Sequence, residues 1–267
     1  MSDAVIVQRE ADVGVVRLNR PDKFNAISRG LADGMDEAFA EFAADDGIRA
    51  VVLTGNGPAF CAGGDLGWIW EQAEGNPRPV FYELAGRFHE AILKLRNMPK
   101  AVVAAINGPA VGGGFSLALA CDLRLISKGA YLKVGYTSSG LTLDGGGSFA
   151  LPRIVGQGRA MELVALDEKV SPSDAHEWGL VNRLVGESDL TEEALEMADR
   201  LAGQPCEAIA RTKRLFNRSF EHSLERHLEA ERRQIAESAE TAEGREGIEA
   251  FLERREADFR RAGADED

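Results

Sequence analysis

Short apolar runs alternate with longer amphipathic segments along the first half of the chain. Four β-branched-rich runs, most of them followed by Gly, Asn, Asp or Pro, predict buried strands: 13–18, 48–54, 101–106 and 123–126. Residues 28–43 and 80–97 have apolar positions spaced by three or four, which predicts helices packed on one face, with Ser28 as the N-cap of the first. A third, apolar helix is predicted from about 112 to 120.

The alternation of strands and helices predicts an α/β fold. Parallel strands joined by right-handed helical crossovers, with both sheet faces covered, are typical of such a pattern. Residues 129–147 contain six glycines and predict a functional loop or a strained turn. Beyond Ser171 the pattern is mainly helical, and residues 205–262 are expected to form long charged helices.

Charge and cysteine usage exclude several classes of partner. The chain has 267 residues, with 31 Lys plus Arg against 44 Asp plus Glu, a net charge of −13. Such an acidic chain is not expected to bind nucleic acid or an anionic membrane.

Three widely spaced cysteines, without a CxxC pair, argue against disulfides and a metal cluster, and we expect no metal. The start of the sequence does not resemble a signal peptide, so a cytoplasmic protein is expected.

One uncharged stretch of 21 residues, between Lys100 and Asp122, is long enough to span a bilayer. Asn107, Pro109 and four glycines interrupt it. A buried strand, a turn and a buried helix explain this stretch better than a membrane helix.

Two glycine-rich turns each follow a predicted strand. They are FCAGGDL (60–66) and NGPAVGGG (107–114), and the second leads into a helix. Glycine lets a ligand approach backbone N–H groups closely, so two such turns could direct two amides at one oxygen, as in an oxyanion hole. Tight turns and close helix packing explain the triple glycine equally well. The second turn does not match a phosphate-binding loop, because the required Lys is missing. It does not match a dinucleotide-binding loop either, because the third glycine is missing.

These two motifs, with NRPDKFNA (19–26) and SDAHEWGLVNRLV (173–185), resemble the crotonase, or enoyl-CoA hydratase/isomerase, family over essentially the whole chain. Segments 140–156, 175–180 and 245–255 are most similar to its 1,2-epoxyphenylacetyl-CoA isomerase branch. The resemblance implies a spiral of repeated ββα units and a C-terminal helical trimerisation region. It divides the chain into a core with the CoA and acyl site (1–200) and a helical region that packs on core and neighbouring subunits (201–267).

The resemblance also implies an acyl-CoA substrate, no separate cofactor, and a homotrimer or dimer of trimers. It assigns the two oxyanion-hole donors to the backbone N–H groups of Gly64 and Gly113. The implied contacts to coenzyme A or the acyl group are Lys23, Ala26, Ala62, Asp65, Leu66 and Tyr136. Lys23 is expected near the phosphates, since the overall charge cannot attract an anionic substrate.

Hydratases of this family use two glutamates to activate water, and Ser116 and Tyr136 stand at those positions here. Neither side chain can act as a base near neutral pH. Asp144 stands where isomerases and a dehalogenase of the family carry a catalytic aspartate. The resemblance therefore implies an isomerase with a single acid/base, either a double-bond shift or an epoxide ring isomerisation. A hydratase with unusual water-activating residues and a non-catalytic CoA-binding protein are the alternatives.

Four side chains have two interpretations each. Asp144 could act as a nucleophile, as in the dehalogenase, but that enzyme also needs a histidine base. His89 lies in the 80–97 helix, and a surface or packing role is the expectation for it. Cys61 is expected to be a buried packing residue rather than a nucleophile. Tyr136 is expected to form part of the wall of the acyl pocket.

Overall fold

A computed structural model describes residues 3–264; Met1, Ser2 and residues 265–267, which belong to the ends of the two predicted regions, lie outside the described residues. The strands are β1 (Val5–Glu10), β2 (Val13–Leu18), β3 (Ala50–Gly55), β4 (Ala101–Ile106), β5 (Ala110–Val111), β6 (Leu123–Ser127), β7 (Leu132–Lys133) and β8 (Arg183–Val185). The helices are α1 (Arg29–Ala44), α2 (Leu66–Gln72), α3 (Arg78–Asn97), α4 (Gly113–Ala120), α5 (Gly147–Leu166), α6 (Pro172–Glu177), α7 (Leu190–Ala202), α8 (Cys206–Arg218), α9 (Leu224–Glu240), α10 (Ala242–Glu253) and α11 (Phe259–Ala264).

A twisted sheet in the order β1-β2-β3-β4-β6-β8 forms the centre of the fold. The hairpin of β1 and β2 is antiparallel, and every other neighbouring pair in this sheet is parallel. A second, two-stranded parallel sheet pairs β5 with β7 beside the glycine-rich turns. The predicted α/β class with parallel pairing is confirmed.

Helices cover both faces of the central sheet. Along β3, Val51 and Leu53 belong to the larger apolar cluster, which also contains residues of α1, α3 and α4. Ala50 and Val52 point to the other face, where they pack in a smaller cluster with α7. Burial on both faces explains why the first four residues of this strand are all apolar instead of alternating.

The limits of α1 and the structure of the uncharged stretch agree with the predictions from the sequence. The Ser28 hydroxyl accepts a hydrogen bond from the Leu31 N–H, and the helix ends before Asp45. The uncharged residues form β4, a turn with β5, and α4, as expected. Within the part of the chain that the structure describes, no helix is long and apolar enough to cross a membrane.

Several elements differ from the pattern-based expectation. β1 is an edge strand whose last residues are exposed, so it lacks an apolar run that would predict it. β8 contains only three residues inside a region expected to be helical, and it pairs with β6 at the other edge. The glycine-rich segment is not all loop, because Gly147 already begins α5.

Two buried ion pairs connect the C-terminal helices to the rest of the chain. Lys213 on α8 donates to Asp122 at 2.7 Å and to the carbonyls of Leu95 and Lys100. Arg49 and Glu243 form a second pair between the start of β3 and α10, at 2.6 Å. Helices α8 and α10 are therefore anchored on the rest of the fold as well as joined to it by the chain.

Candidate active site

The two glycine-rich turns lie against each other. The Cys61 N–H donates to the Pro109 carbonyl at 3.2 Å, and the Val111 N–H donates back to the Cys61 carbonyl at 2.9 Å. Gly63 has a φ of +91°, and a Cβ there would lie 3.2 Å from the Gly113 nitrogen. Glycine is thus required by both conformation and space, and the two turns meet at one pocket.

Gly64 and Gly113 both line this pocket. Gly113 is the first residue of α4, so its N–H has no acceptor inside the helix. Within residues 3–264 neither amide nitrogen donates a hydrogen bond to another group of the chain. Two unengaged amides, one of them at a helix N-terminus, can donate to an oxygen that gains negative charge.

An ion pair supports the turn that carries Gly64. Arg20 donates to one oxygen of Asp65 at 2.9 Å and also to the Ala26 carbonyl. The other Asp65 oxygen accepts from the Trp68 N–H and begins α2. Both oxygens of the Asp65 carboxylate therefore accept hydrogen bonds within the chain. These hydrogen bonds support the turn that carries the Gly64 amide.

Apolar side chains form most of the remaining pocket wall. The residues that line it besides the glycines are Ile27, Ala62, Leu66, Ile69, Phe81, Leu84, Ala85, Phe88, Tyr136, Leu141 and Asp144. Helix α3 contributes the lining residues from Phe81 to Phe88, and the segment after β7 contributes those from Gly135 to Asp144. Asp144 is the only carboxylate among these lining residues.

A chain of hydroxyl groups ends on Asp144. The Tyr136 hydroxyl donates to an Asp144 oxygen at 2.6 Å, and the Ser116 hydroxyl lies 3.0 Å from the Tyr136 oxygen. Since the single proton of Tyr136 is directed to the carboxylate, Ser116 must be the donor in the second contact. The two positions where hydratases carry glutamates thus hold hydroxyls that support the aspartate.

Tyr136 stays protonated in this arrangement. Burial raises the pKa of Tyr136, and the negative charge of Asp144 together with the hydrogen bond to it raises this pKa further. Tyr136 also lines the pocket, and its contact with the acyl group stays a prediction. Its hydrogen bond to Asp144 is an additional role that the sequence did not indicate.

His89 lies beside Asp144, and the surface or packing role expected for it stays a prediction. Its Nε2 accepts a hydrogen bond from the Gly145 N–H at 3.1 Å and lies 3.8 Å from an Asp144 oxygen. The side chain is about half exposed. A sequence signal was present: His89 follows the buried Phe88 and precedes Ile92 by three, at the edge of the apolar stripe of α3.

The residues implied in coenzyme A binding fall into one region. The Ala62 N–H donates to the Phe24 carbonyl at 3.0 Å, which places the segment from Lys23 to Ala26 beside Ala62. Lys23 is exposed at the end of a short 3-10 turn. Leu66 is partly exposed at the pocket rim.

Cys61 packs inside the fold, as expected. It is fully buried, and burial raises the pKa of its thiol to about 12. A thiol that stays protonated is a poor nucleophile.

Comparisons with known proteins agree with this geometry. A sequence profile described as enoyl-CoA hydratase/isomerase matches residues 8–262. The 1,2-epoxyphenylacetyl-CoA isomerase of Escherichia coli (strain K12) is 33% identical over 260 residues, covering 97% of this chain and 99% of that protein. The 4-chlorobenzoyl coenzyme A dehalogenase-2 of an Arthrobacter species is 36% identical over 227 residues, covering 85% of this chain and 82% of that protein.

A solved structure has the same fold. The crystal structure of an enoyl-CoA hydratase from Polaromonas sp. JS666 superposes with a TM-score of 0.90 at 34% identity, covering 95% of this chain and 98% of that one. The profile match and the near full-length relatives confirm the family resemblance and the crotonase fold. The chain therefore belongs to the enoyl-CoA hydratase/isomerase family and is an enzyme of the crotonase type.

Proposed function

We propose that the chain is an acyl-CoA isomerase in which Asp144 moves a proton along the acyl group of a coenzyme A thioester. The carrying observation is the composition of the pocket: one carboxylate lines the same pocket as two unengaged amides, those of Gly64 and Gly113. A single base in one pocket with an oxyanion hole suits a reaction that removes a proton and returns it elsewhere. Such a reaction needs no activated water.

The proposed mechanism begins with the thioester carbonyl between the two glycine amides. Asp144 takes a proton from the carbon next to the carbonyl, and the electron pair moves onto the carbonyl oxygen. The amides stabilise the resulting enolate more than the ground state, which lowers the barrier. Asp144 then returns the proton farther along the acyl chain, or to the opened ring of an epoxide.

Two observations weigh against hydration as the main activity. Ser116 and Tyr136 offer hydroxyls instead of carboxylates, and the raised pKa of Tyr136 keeps its proton in place. The glycines after Asp144 also pack directly on Ser116: a Cβ on Gly147 would lie 2.5 Å from its hydroxyl oxygen. A longer acidic side chain at position 116 would require this loop to move.

Binding of the coenzyme A moiety is proposed for the region formed by Lys23, Ala26, Ala62 and Leu66. The hydrogen bond between Ala62 and Phe24 brings these residues together beside the oxyanion hole. Lys23 is exposed and supplies a local positive charge for the phosphates. For Asp65 the supporting argument is indirect, because its carboxylate is engaged by Arg20 and Trp68. It is proposed to shape this region through the turn.

The position of His89 favours a second candidate function, displacement of a leaving group from an aromatic acyl-CoA. The Asp144 carboxylate would attack the ring carbon, the halide would leave, and water activated by His89 would hydrolyse the ester. The 3.8 Å separation of His89 from Asp144 and the similarity to a dehalogenase support this candidate. Against it, the His89 Nε2 already accepts from Gly145.

The exposed apolar side chains of the C-terminal helices support a further proposal, packing against neighbouring subunits in a trimer or a dimer of trimers. The most exposed of them include Phe216, Phe220, Leu224, Ile235, Phe251 and Leu252. A contiguous exposed apolar surface is a common mark of a protein interface.

Product analysis with four thioesters separates the candidates. The purified enzyme is incubated with a 3-enoyl-CoA, 1,2-epoxyphenylacetyl-CoA, crotonyl-CoA and 4-chlorobenzoyl-CoA, and products are followed by mass spectrometry and chloride release. We expect one of the first two thioesters to be isomerised, which gives a product of unchanged mass. The rate of this isomerisation should exceed the rate of water addition to crotonyl-CoA at least ~10²-fold, the scale of one missing acid/base group.

Each other outcome in this panel identifies a different enzyme. Rapid gain of one water by crotonyl-CoA would overturn the isomerase proposal in favour of a hydratase. Release of chloride would select the displacement reaction. Binding of all four thioesters without conversion of any would favour the non-catalytic alternative.

A further inference from the structure

A buried carboxylate outside the pocket holds the segment that carries Tyr136. Asp167 ends α5, is only 7% exposed, and accepts hydrogen bonds from the N–H groups of Gly135 at 2.6 Å and Ser138 at 2.9 Å. These two residues stand on either side of Tyr136 in the chain. The two oxygens of one carboxylate therefore fix the turn from both ends.

Asp167 is an unexpected residue for the end of a helix. Its φ of 48° and ψ of 41° are left-handed, a conformation in which glycine is the usual helix terminator. Burial of a carboxylate is also unfavourable unless hydrogen bonds compensate. A glycine would end α5 without either cost, so helix termination alone does not explain the aspartate.

The charge of Asp167 is satisfied by the turn itself. Burial alone would raise the pKa of Asp167, but the hydrogen bonds from Ser138 and Gly135, together with the charge of Lys133, outweigh it and the pKa is lowered. Asp167 is thus ionised at neutral pH, and charge-assisted hydrogen bonds of this kind are stronger than neutral ones.

The same turn packs beside the oxyanion hole. Gly135 has a φ of +71°, and a Cβ there would lie 2.8 Å from the Gly112 nitrogen, next to the donor Gly113. The Gly112 N–H in turn donates to the Lys133 carbonyl at 3.2 Å. The turn that Asp167 holds therefore begins where the pocket begins, and Tyr136 follows Gly135 directly.

We propose that Asp167 is a positioning residue for the reaction: it holds the turn of residues 135–138 so that the Tyr136 hydroxyl orients the Asp144 carboxylate. The path runs from Asp167 through two backbone amides to Tyr136, and then to Asp144. The proposal rests on the proposed function of Asp144. It adds Asp167, 23 positions after Asp144 in the chain, whose side chain is not among those that line the pocket.

The test compares Asp167→Gly with Asp167→Asn, Glu168→Gln and Tyr136→Phe in the full-length enzyme. Glycine keeps the left-handed helix end but removes both acceptors, whereas asparagine keeps the volume and one acceptor. Glu168 is exposed beside Asp167 and serves as the control for loss of a charge. We expect Asp167→Gly to lower kcat about 10- to 100-fold, the range that misplacement of a reacting group produces, with KM within about twofold of wild type.

A double variant separates positioning from general stability. If Asp167 acts through Tyr136, adding Asp167→Gly to Tyr136→Phe causes little further loss in kcat, because both changes remove the same interaction. Multiplicative losses in the double variant, or a wild-type kcat for Asp167→Gly, would overturn the proposal. Glu168→Gln should leave kcat unchanged.

Amide hydrogen exchange distinguishes failure of this proposal from failure of the proposed function. In Asp167→Gly the amides of Gly135 and Ser138 should exchange faster, whatever reaction the enzyme catalyses. Unchanged protection at both amides would contradict the role of Asp167 even if Asp144 is essential. Faster exchange together with a fully active Asp144→Asn would instead overturn the proposed function and leave the two hydrogen bonds confirmed.

Discussion

Replacing Asp144 by asparagine is expected to lower the rate of isomerisation at least ~10²-fold, the usual contribution of a general acid/base, while acyl-CoA binding changes little. Asparagine has nearly the same shape and can still accept the hydrogen bond from Tyr136. It cannot take up a proton from the carbon next to the thioester. The loss should therefore appear in kcat rather than in the dissociation constant.

Steady-state kinetics and calorimetric binding of a non-reactive acyl-CoA measure the two effects separately. Asp46→Asn is the matched control, because Asp46 is exposed in the turn after α1 and does not line the pocket. This control should be as active as the wild type. Near wild-type turnover by Asp144→Asn would refute the one-base mechanism.

Gly114→Ala is expected to cause the second large loss, about 10²- to 10³-fold in kcat, comparable to removal of one oxyanion-hole donor. A side-chain substitution cannot delete a backbone amide, but it can displace one. A Cβ on Gly114 would overlap the Cys61 carbonyl oxygen and lie 2.7 Å from its carbonyl carbon. Because Cys61 belongs to the turn of Gly64 and Gly114 to the helix of Gly113, the added methyl group should push the two donors apart.

Gly158→Ala is the control for this change. Gly158 lies on the exposed side of α5, where a Cβ meets no atom within 4 Å. Circular dichroism and thermal unfolding confirm that both variants fold before kcat is compared. A folded Gly114→Ala enzyme with wild-type kcat would show that the spacing of the two turns does not limit the reaction.

The main strands, helices α1, α3 and α4, and the two glycine-rich turns could be predicted because each has a local pattern. Their meeting at one pocket followed from the family resemblance, and the hydrogen bonds between Cys61, Pro109 and Val111 supply the physical basis. β8 was missed because three residues cannot display a period.

Contacts between residues far apart in the chain could not be predicted from the sequence. His89 meets Gly145 across 56 positions, and periodicity places it at the edge of a helix stripe without saying what it faces. Asp167 meets Gly135 across 32 positions, and an aspartate after a helix has no pattern that predicts buried amide partners. The support of Asp144 by Tyr136 likewise depends on the turn conformation of residues 135–138, which six glycines between 129 and 147 leave open.

Label transfer within the substrate tests the single-base claim most directly. A 3-enoyl-CoA carrying deuterium at C2 is converted by the wild-type enzyme in ordinary water, and the position of deuterium in the 2-enoyl product is determined by NMR and mass spectrometry. If Asp144 carries the proton from C2 to C4, part of the label appears at C4, reduced only by exchange from the partly exposed carboxyl group. The single-base claim would be contradicted if the product of the first turnover carried no deuterium at C4 and all the deuterium removed from C2 had been lost to solvent.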